Sequence, residues 1–304
     1  MIRYNPKEWL GLVFHAYSRY VIKKLFPLLV TIAAYTALLT YLIVDYFQFK
    51  FDGTTAVHSI LGIVLGLFLV FRTNTAYDRW WEGRKQWGAL VNNTRNMAFK
   101  IHAFLGPDET ETRRYFAKMI PNFVYAMKEH LRAGVNYDEL EPVDTDFIPT
   151  LKRYFHKPNI ITTMMYEKIN NLYESGRLSG DQFFILDKEL KSLSDILGAC
   201  ERIRNTPIPY SYSMFMKKFI FTYIFTLPFA FITSFHYFTI PIVLIIFYIL
   251  VSIELIAEEI EDPFGKDVND LPTDDLSLKI KNNVQEVLAG SGLKSNQMRK
   301  LSSS

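Results

Sequence analysis

Little in this 304-residue sequence points to catalysis. A single cysteine, Cys200, excludes an intramolecular disulfide and leaves no Cys pair for a metal. Its place after Gly198-Ala199 reads as a small packed hydrophobe rather than a nucleophile. The six histidines (His15, His58, His102, His130, His156, His236) are scattered, with no pair at i, i+3 or i+4 to hold a metal. No Gly-rich phosphate loop, dinucleotide fingerprint or His-Glu-x-x-His helix occurs. An excess of charge is also missing: 34 Lys and Arg face 31 Asp and Glu, for a net charge of +3. That balance argues against a nucleic-acid partner, which requires clustered phosphate-neutralising charge. No internal repeat is present, and nothing favours an enzyme.

The chain is instead rich in apolar side chains, and these are unevenly spread. Nearly half the residues are hydrophobic, and 25 Phe with 18 Tyr exclude a disordered chain, which lacks apolar surface to offset its ordering entropy. Leu25–Val44 holds 20 residues without a charge, about 30 Å as a helix and therefore the thickness of a bilayer core. It is too long for a signal peptide, and no small-residue cleavage site follows. Pro27 is expected in its first turn. Thr54–Phe71 is a second uncharged run of 18 residues, and Phe219–Ile253 a third of 35. The third, about 52 Å as one helix, is too long for one span and is expected to break at Ser234–Pro241. Four crossings follow.

Basic residues set the orientation. Arg19, Lys23 and Lys24 precede the first span, Arg72, Arg79, Arg84 and Lys85 follow the second, and Lys217 and Lys218 precede the third. The loop Asp45–Gly53 holds only Lys50. Both termini and the middle of the chain are thus expected in the cytoplasm, in a multi-pass protein of the cell membrane. The domain reading is 1–71 (N-terminal segment and two spans), 72–218 (helical cytosolic domain), 219–253 (third and fourth spans), 254–289 (acidic segment) and 290–304 (disordered tail). Within 72–218, breaks are expected at Gly106-Pro107, at the acidic loop Gly134–Pro149, taken as solvated, and at Thr206-Pro207-Ile208-Pro209.

After the second span the chain reads Phe71-Arg72, then Tyr77-Asp78-Arg79-Trp80-Trp81-Glu82-Gly83-Arg84. An interface belt accounts for some of these aromatics and cations, but not for their regular mixture with acids. The segment resembles the Phe-Arg…Tyr-x-Arg-Trp-x-Glu-x-Arg signature of the bestrophin family of ion channels. Cys200-Glu201-Arg202…Thr206-Pro207-Ile208-Pro209 and Glu259-Ile260-Glu261-Asp262-Pro263-Phe264-Gly265 agree with it, in the same order. The resemblance, closest to the prokaryotic branch, covers most of residues 1–288.

The resemblance implies a bestrophin-like all-α polytopic membrane protein with four transmembrane helices and a helical cytosolic domain, assembled as a homopentamer around one pore. It would pass small monovalent ions passively, chloride and similar anions first. Its partners would be its own copies, membrane lipid and small inorganic ions. The matching neck positions are Ile63, Leu67 and Phe71, which share a helix face and could gate by dewetting. Gly62 and Gly66 beside them form a GxxxG pair suited to close helix approach. The matching cytosolic constriction is Asp181, where relatives often carry an apolar residue; a first-turn or capping Asp is an equal reading of the same position. Asp262, Asp267 and Asp270 match the calcium clasp of animal bestrophins, although Lys266, Val268 and Asn269 interrupt the acids. Two alternatives remain open: a cation-conducting channel of the same fold, and a membrane-anchored scaffold without ion flux.

Overall fold

A computed structural model describes residues 16–49, 55–106 and 108–289. Residues 1–15, 50–54, Pro107 and the tail 290–304, expected to be disordered, lie outside the described residues, as do the side chains of residues 16–19.

The described chain is helical, and its helices fall into two compact units. The first comprises described residues up to Trp80 together with Pro207–Asp262. Here α1 (Ala16–Thr40) continues as a π-helical stretch, Tyr41–Tyr46. The long helix α2 (Thr55–Phe104) begins in this unit. Helices α7 (Tyr210–Phe235) and α8 (Thr239–Glu261) flank a 3-10 turn at His236–Phe238. His236 takes φ 48°, so the chain reverses where the break was expected.

Leu65 and Leu69 of α2, Met216, Ile220, Ile224 and Leu227 of α7, and Val243 and Phe247 of α8 make one buried cluster, against which Leu29 and Ile32 of α1 pack. Phe26, Leu28, Leu38, Phe221 and Ile245 stay exposed on the outside. Helices apolar on every side and left uncovered by protein on their outer face suit a bilayer, and in lipid cohesion comes from packing and hydrogen bonds rather than from leaving water. Tyr35 accordingly stacks on Phe225 at 4.8 Å and donates its hydroxyl to the Phe225 carbonyl at 2.9 Å.

Pro27 lies inside α1, not in its first turn. The uncharged run marks what suits a bilayer, whereas the helix continues outward through Lys23 and Lys24 to Ala16. The same distinction applies to α2. Its charges begin at Arg72, but no proline interrupts it, and its 50 residues run about 75 Å.

The second unit holds Trp81–Thr206 and the described residues from Pro263 on. It contains the C-terminal half of α2, α3 (Thr110–Leu131), α4 (Phe147–Arg153), α5 (Lys157–Glu174), α6 (Gly180–Asn205) and α9 (Thr273–Ala289). At its centre is α3, with Phe116, Ile120, Phe123 and Met127 buried at helical spacing; α5, α6 and α9 pack around it. The Gly134–Pro149 loop is more ordered than expected: it holds a 3-10 turn, Tyr137–Glu139, and the start of α4.

Its acids also have work. Buried Lys128 bonds both Glu139 carboxylate oxygens at 2.7 Å and Asp274 of α9 at 2.8 Å. Arg132 grips Asp274 with two bonds, at 2.9 and 2.7 Å. These contacts tie α9 to the end of α3.

Candidate functional site

The predicted neck residues occupy one face of α2. Ile63, Leu67 and Phe71 are 74%, 55% and 55% exposed, while Leu65 and Leu69 on the other face are buried against α7 and α8. The first and last of the three are eight positions apart, about 12 Å along the helix axis. This chain alone leaves them uncovered. The paired glycines divide in role. A Cβ on Gly62 would lie 2.8 Å from the Tyr223 hydroxyl of α7, so Gly62 serves packing within the chain. A Cβ on Gly66 would meet nothing within 4 Å, which leaves that position free for a neighbouring helix.

One residue beyond Phe71 the chemistry inverts. Arg72 is 1% exposed and points away from the neck face. Its Nη2 lies 2.7 Å from Glu261 Oε2, and its Nε lies 3.5 Å from Glu254 Oε1, an ion pair too long for a direct hydrogen bond. Glu254 and Glu261 are seven residues apart, two turns of α8, so both carboxylates face one stripe of α2. Arg79 Nε donates to the Glu261 carbonyl at 3.1 Å, and the Ile208 N–H donates to Glu261 Oε1 at 2.8 Å. Residues from all three recognised motifs thus meet at Glu261.

In the sequence Arg72 belongs to the first recognised motif and to the basic flank of the second span, and Glu254 to an acidic stretch; neither reading pairs the two. Each is a charge of opposite sign abutting the end of an apolar run, and that was the available signal.

Gly83 has a related role within the second unit. A Cβ there would lie 3.1 Å from the Pro263 ring and 3.2 Å from the Phe264 ring. The buried Phe264 side chain therefore seats where the helix has no side chain of its own.

Asp181 sits exposed in the first turn of α6. It is not the cap: Ser179 Oγ accepts the Gln182 N–H at 3.3 Å, and Gln182 Oε1 accepts the Ser179 N–H at 2.9 Å. The acids matched to a calcium clasp are placed differently from one another. Asp262 terminates α8. Buried Asp270 spends Oδ2 on the Asp267 N–H at 2.6 Å, and its own N–H bonds the Asp267 carbonyl at 3.1 Å, closing a local turn. No three-ligand group forms from them; among the described residues, that geometry occurs at His130, His156 and Glu201. The absence of a histidine pair at i, i+3 or i+4 holds, but the tertiary structure brings two distant histidines together. The two histidines are 26 residues apart in sequence, and spacing within one helix could not reveal them.

A sequence profile of the bacterial and fungal bestrophin proteins matches residues 1–286. The chain belongs to the bestrophin family. A voltage-dependent anion channel-forming protein of Nostoc sp. is 36% identical to this bestrophin over 289 residues, 92% of each chain. The voltage-dependent anion channel-forming protein YneE of Escherichia coli is 31% identical over 275 residues, 90% of each. Among solved structures, a bacterial bestrophin homologue from Klebsiella pneumoniae superposes with a TM-score of 0.78 at 28% identity, over 86% of this chain and 97% of that one. The all-helical bestrophin fold expected from the sequence is the fold observed.

Proposed function

We propose that this bestrophin is the subunit of a passive anion channel in the cell membrane, in which five copies line a central pore with the Ile63, Leu67 and Phe71 face of α2. The observation that carries the reading is that face: three large apolar side chains left bare on a helix whose other side is buried. Gly66, open on the same helix, supports close packing between copies. The relatives named as anion channel-forming proteins, aligned over nine-tenths of the chain, support the choice of ion. In this reading α1, α2, α7 and α8 each cross the bilayer once, and both termini and the second unit are cytoplasmic.

An apolar ring binds no ion. It controls flow by the cost of stripping water from whatever enters, and it closes by drying. The Arg72–Glu254–Glu261 cluster beneath holds α2 against α8, fixing the angle at which the neck faces the axis. A cation-conducting channel is the second reading, favoured by one observation: Asp181 is exposed and free of any capping duty, and a ring of five such carboxylates would repel anions.

Purified protein reconstituted in liposomes tests the proposal. Chloride efflux that is absent from protein-free vesicles is expected, together with a detergent-purified particle of five 35.5-kDa chains, about 180 kDa in all, by native mass spectrometry. Sealed vesicles containing folded protein, or a monomeric particle, would overturn it, since one chain encloses no pore.

A further inference from the structure

Glu201, part of a recognised motif, has a contact that the pore does not require. Its Oε1 lies 2.7 Å from His130 Nε2 at the end of α3 and 2.7 Å from His156 Nε2 at the N-cap of α5. The two imidazoles face each other with ring centroids 4.3 Å apart. Three elements far apart in sequence thus aim two nitrogens and a carboxylate oxygen at one point. We infer that His130, His156 and Glu201 form a binding site for a single transition-metal dication of the zinc class.

The donor set suits such an ion. Two neutral imidazoles and a carboxylate are a recurring three-ligand zinc arrangement, with the fourth position left to water. A cavity of about 30 Å³, lined by His130, Asn136, Leu140 and Phe155 among others, adjoins the cluster. That is room for one or two waters beside His130. All three residues are partly exposed, so an ion has access. Burial holds His130 below the ordinary imidazole range despite the pull of Glu201, so its nitrogens are neutral near physiological pH. The His156 and His130 bonds outweigh burial at Glu201 and hold its carboxyl below the usual range, so it is ionised. The Glu201 carboxylate therefore presents a negative charge to a dication. Arg204, which donates to the His130 carbonyl at 2.7 Å, opposes a cation here.

Geometry requires a small adjustment. Zinc bonds of about 2.0–2.1 Å at tetrahedral angles place ligand atoms roughly 3.3 Å apart, so the 2.7 Å contacts must open by about 0.6 Å. His156 Nδ1 accepts the Asn159 N–H at 3.3 Å, which makes Nε2 the protonated nitrogen. Binding through Nε2 moves that proton to Nδ1 and breaks this long cap bond, and the proton on His130 Nε2, which points at Glu201, moves in the same way to His130 Nδ1. Nothing is released or oxidised. One dication takes the place of two N–H···O bonds and pins α3, α5 and α6 together.

The full-length protein in detergent, stripped with a chelator and dialysed against ZnCl2, should bind one zinc per chain by elemental analysis. His130→Ala, His156→Ala and Glu201→Gln should each weaken binding at least tenfold. Absence of stoichiometric zinc overturns the proposal, as does unchanged binding in all three variants. Wild-type protein titrated with cobalt(II) provides a test that does not depend on variants folding. Visible bands of tetrahedral intensity that zinc abolishes are expected, and their absence overturns the assignment.

Discussion

Replacing Arg72 by Leu would remove the one cation that links Glu254 and Glu261 beneath the neck. The side chains of Arg72 and Glu254 are almost wholly buried, at 1% and 6% exposed. Glu261 keeps the Ile208 N–H at 2.8 Å, but Glu254 is left as a buried carboxylate without its counter-charge. Breaking a buried pair by deleting one partner costs about 3–5 kcal/mol, because the remaining charge has lost both water and its partner. At about 1.4 kcal/mol per tenfold, the folded fraction relative to unfolded falls by roughly two to three and a half orders of magnitude. At about 2–3 °C per kcal/mol for a chain this size, the thermal midpoint falls by roughly 6–15 °C. Adding Glu254→Gln to Arg72→Leu should restore more than half of the loss, since an amide is far less costly to bury than a charge. Size-exclusion chromatography of detergent-solubilised protein after a heating series measures each midpoint. A single mutant within 2 °C of wild type, or a double mutant no better than the single, would refute the argument that this cluster holds α2 on α8.

Replacing Ile63, Leu67 and Phe71 together by Ala should widen the neck and raise macroscopic conductance at least several-fold, because dehydration sets the barrier; unchanged currents from assembled protein would place the barrier elsewhere. Asp181→Ile should shift the reversal potential in a KCl gradient toward anion preference, more at low salt, where the screening length exceeds the about 8 Å of physiological solution. An identical reversal potential at every salt concentration would leave Asp181 outside the pore. Arg132 and then Lys128 hold the Asp274 carboxyl well below the ordinary carboxylate range, so the stability it confers is present above the unfolded value of about 3.9 and is lost as pH falls below that value. The stability gap between wild type and Asp274→Asn should therefore narrow from about pH 6 to about pH 3, as followed by circular dichroism melts; a constant gap would remove the ionic role of Asp274.

The sequence was sufficient for whatever depends on local composition. Uncharged runs revealed the apolar helices, since a bilayer imposes its requirement on every residue of a span. The turn at His236 and the breaks near Gly106 and Pro207 followed from local chain-breaking residues. Spacing alone placed Ile63, Leu67 and Phe71 on one face, and the motifs identified the family.

Tertiary structure decided everything that depends on residues distant in sequence. Arg72 and Glu254 read as charges flanking apolar runs, and only the folded chain pairs them, 182 residues apart in sequence. Lys128 is buried because Glu139 and Asp274 arrive from a loop and from α9 to pair with it. His130 and His156 share no helical register, and only the convergence of α3, α5 and α6 makes them neighbours. Helical periodicity is a property of one segment, so it can assign a face to a residue but not the partner opposite. A charge or an imidazole acquires its role from that partner, because burial and pairing set whether it is neutral, ionised or able to bind a metal.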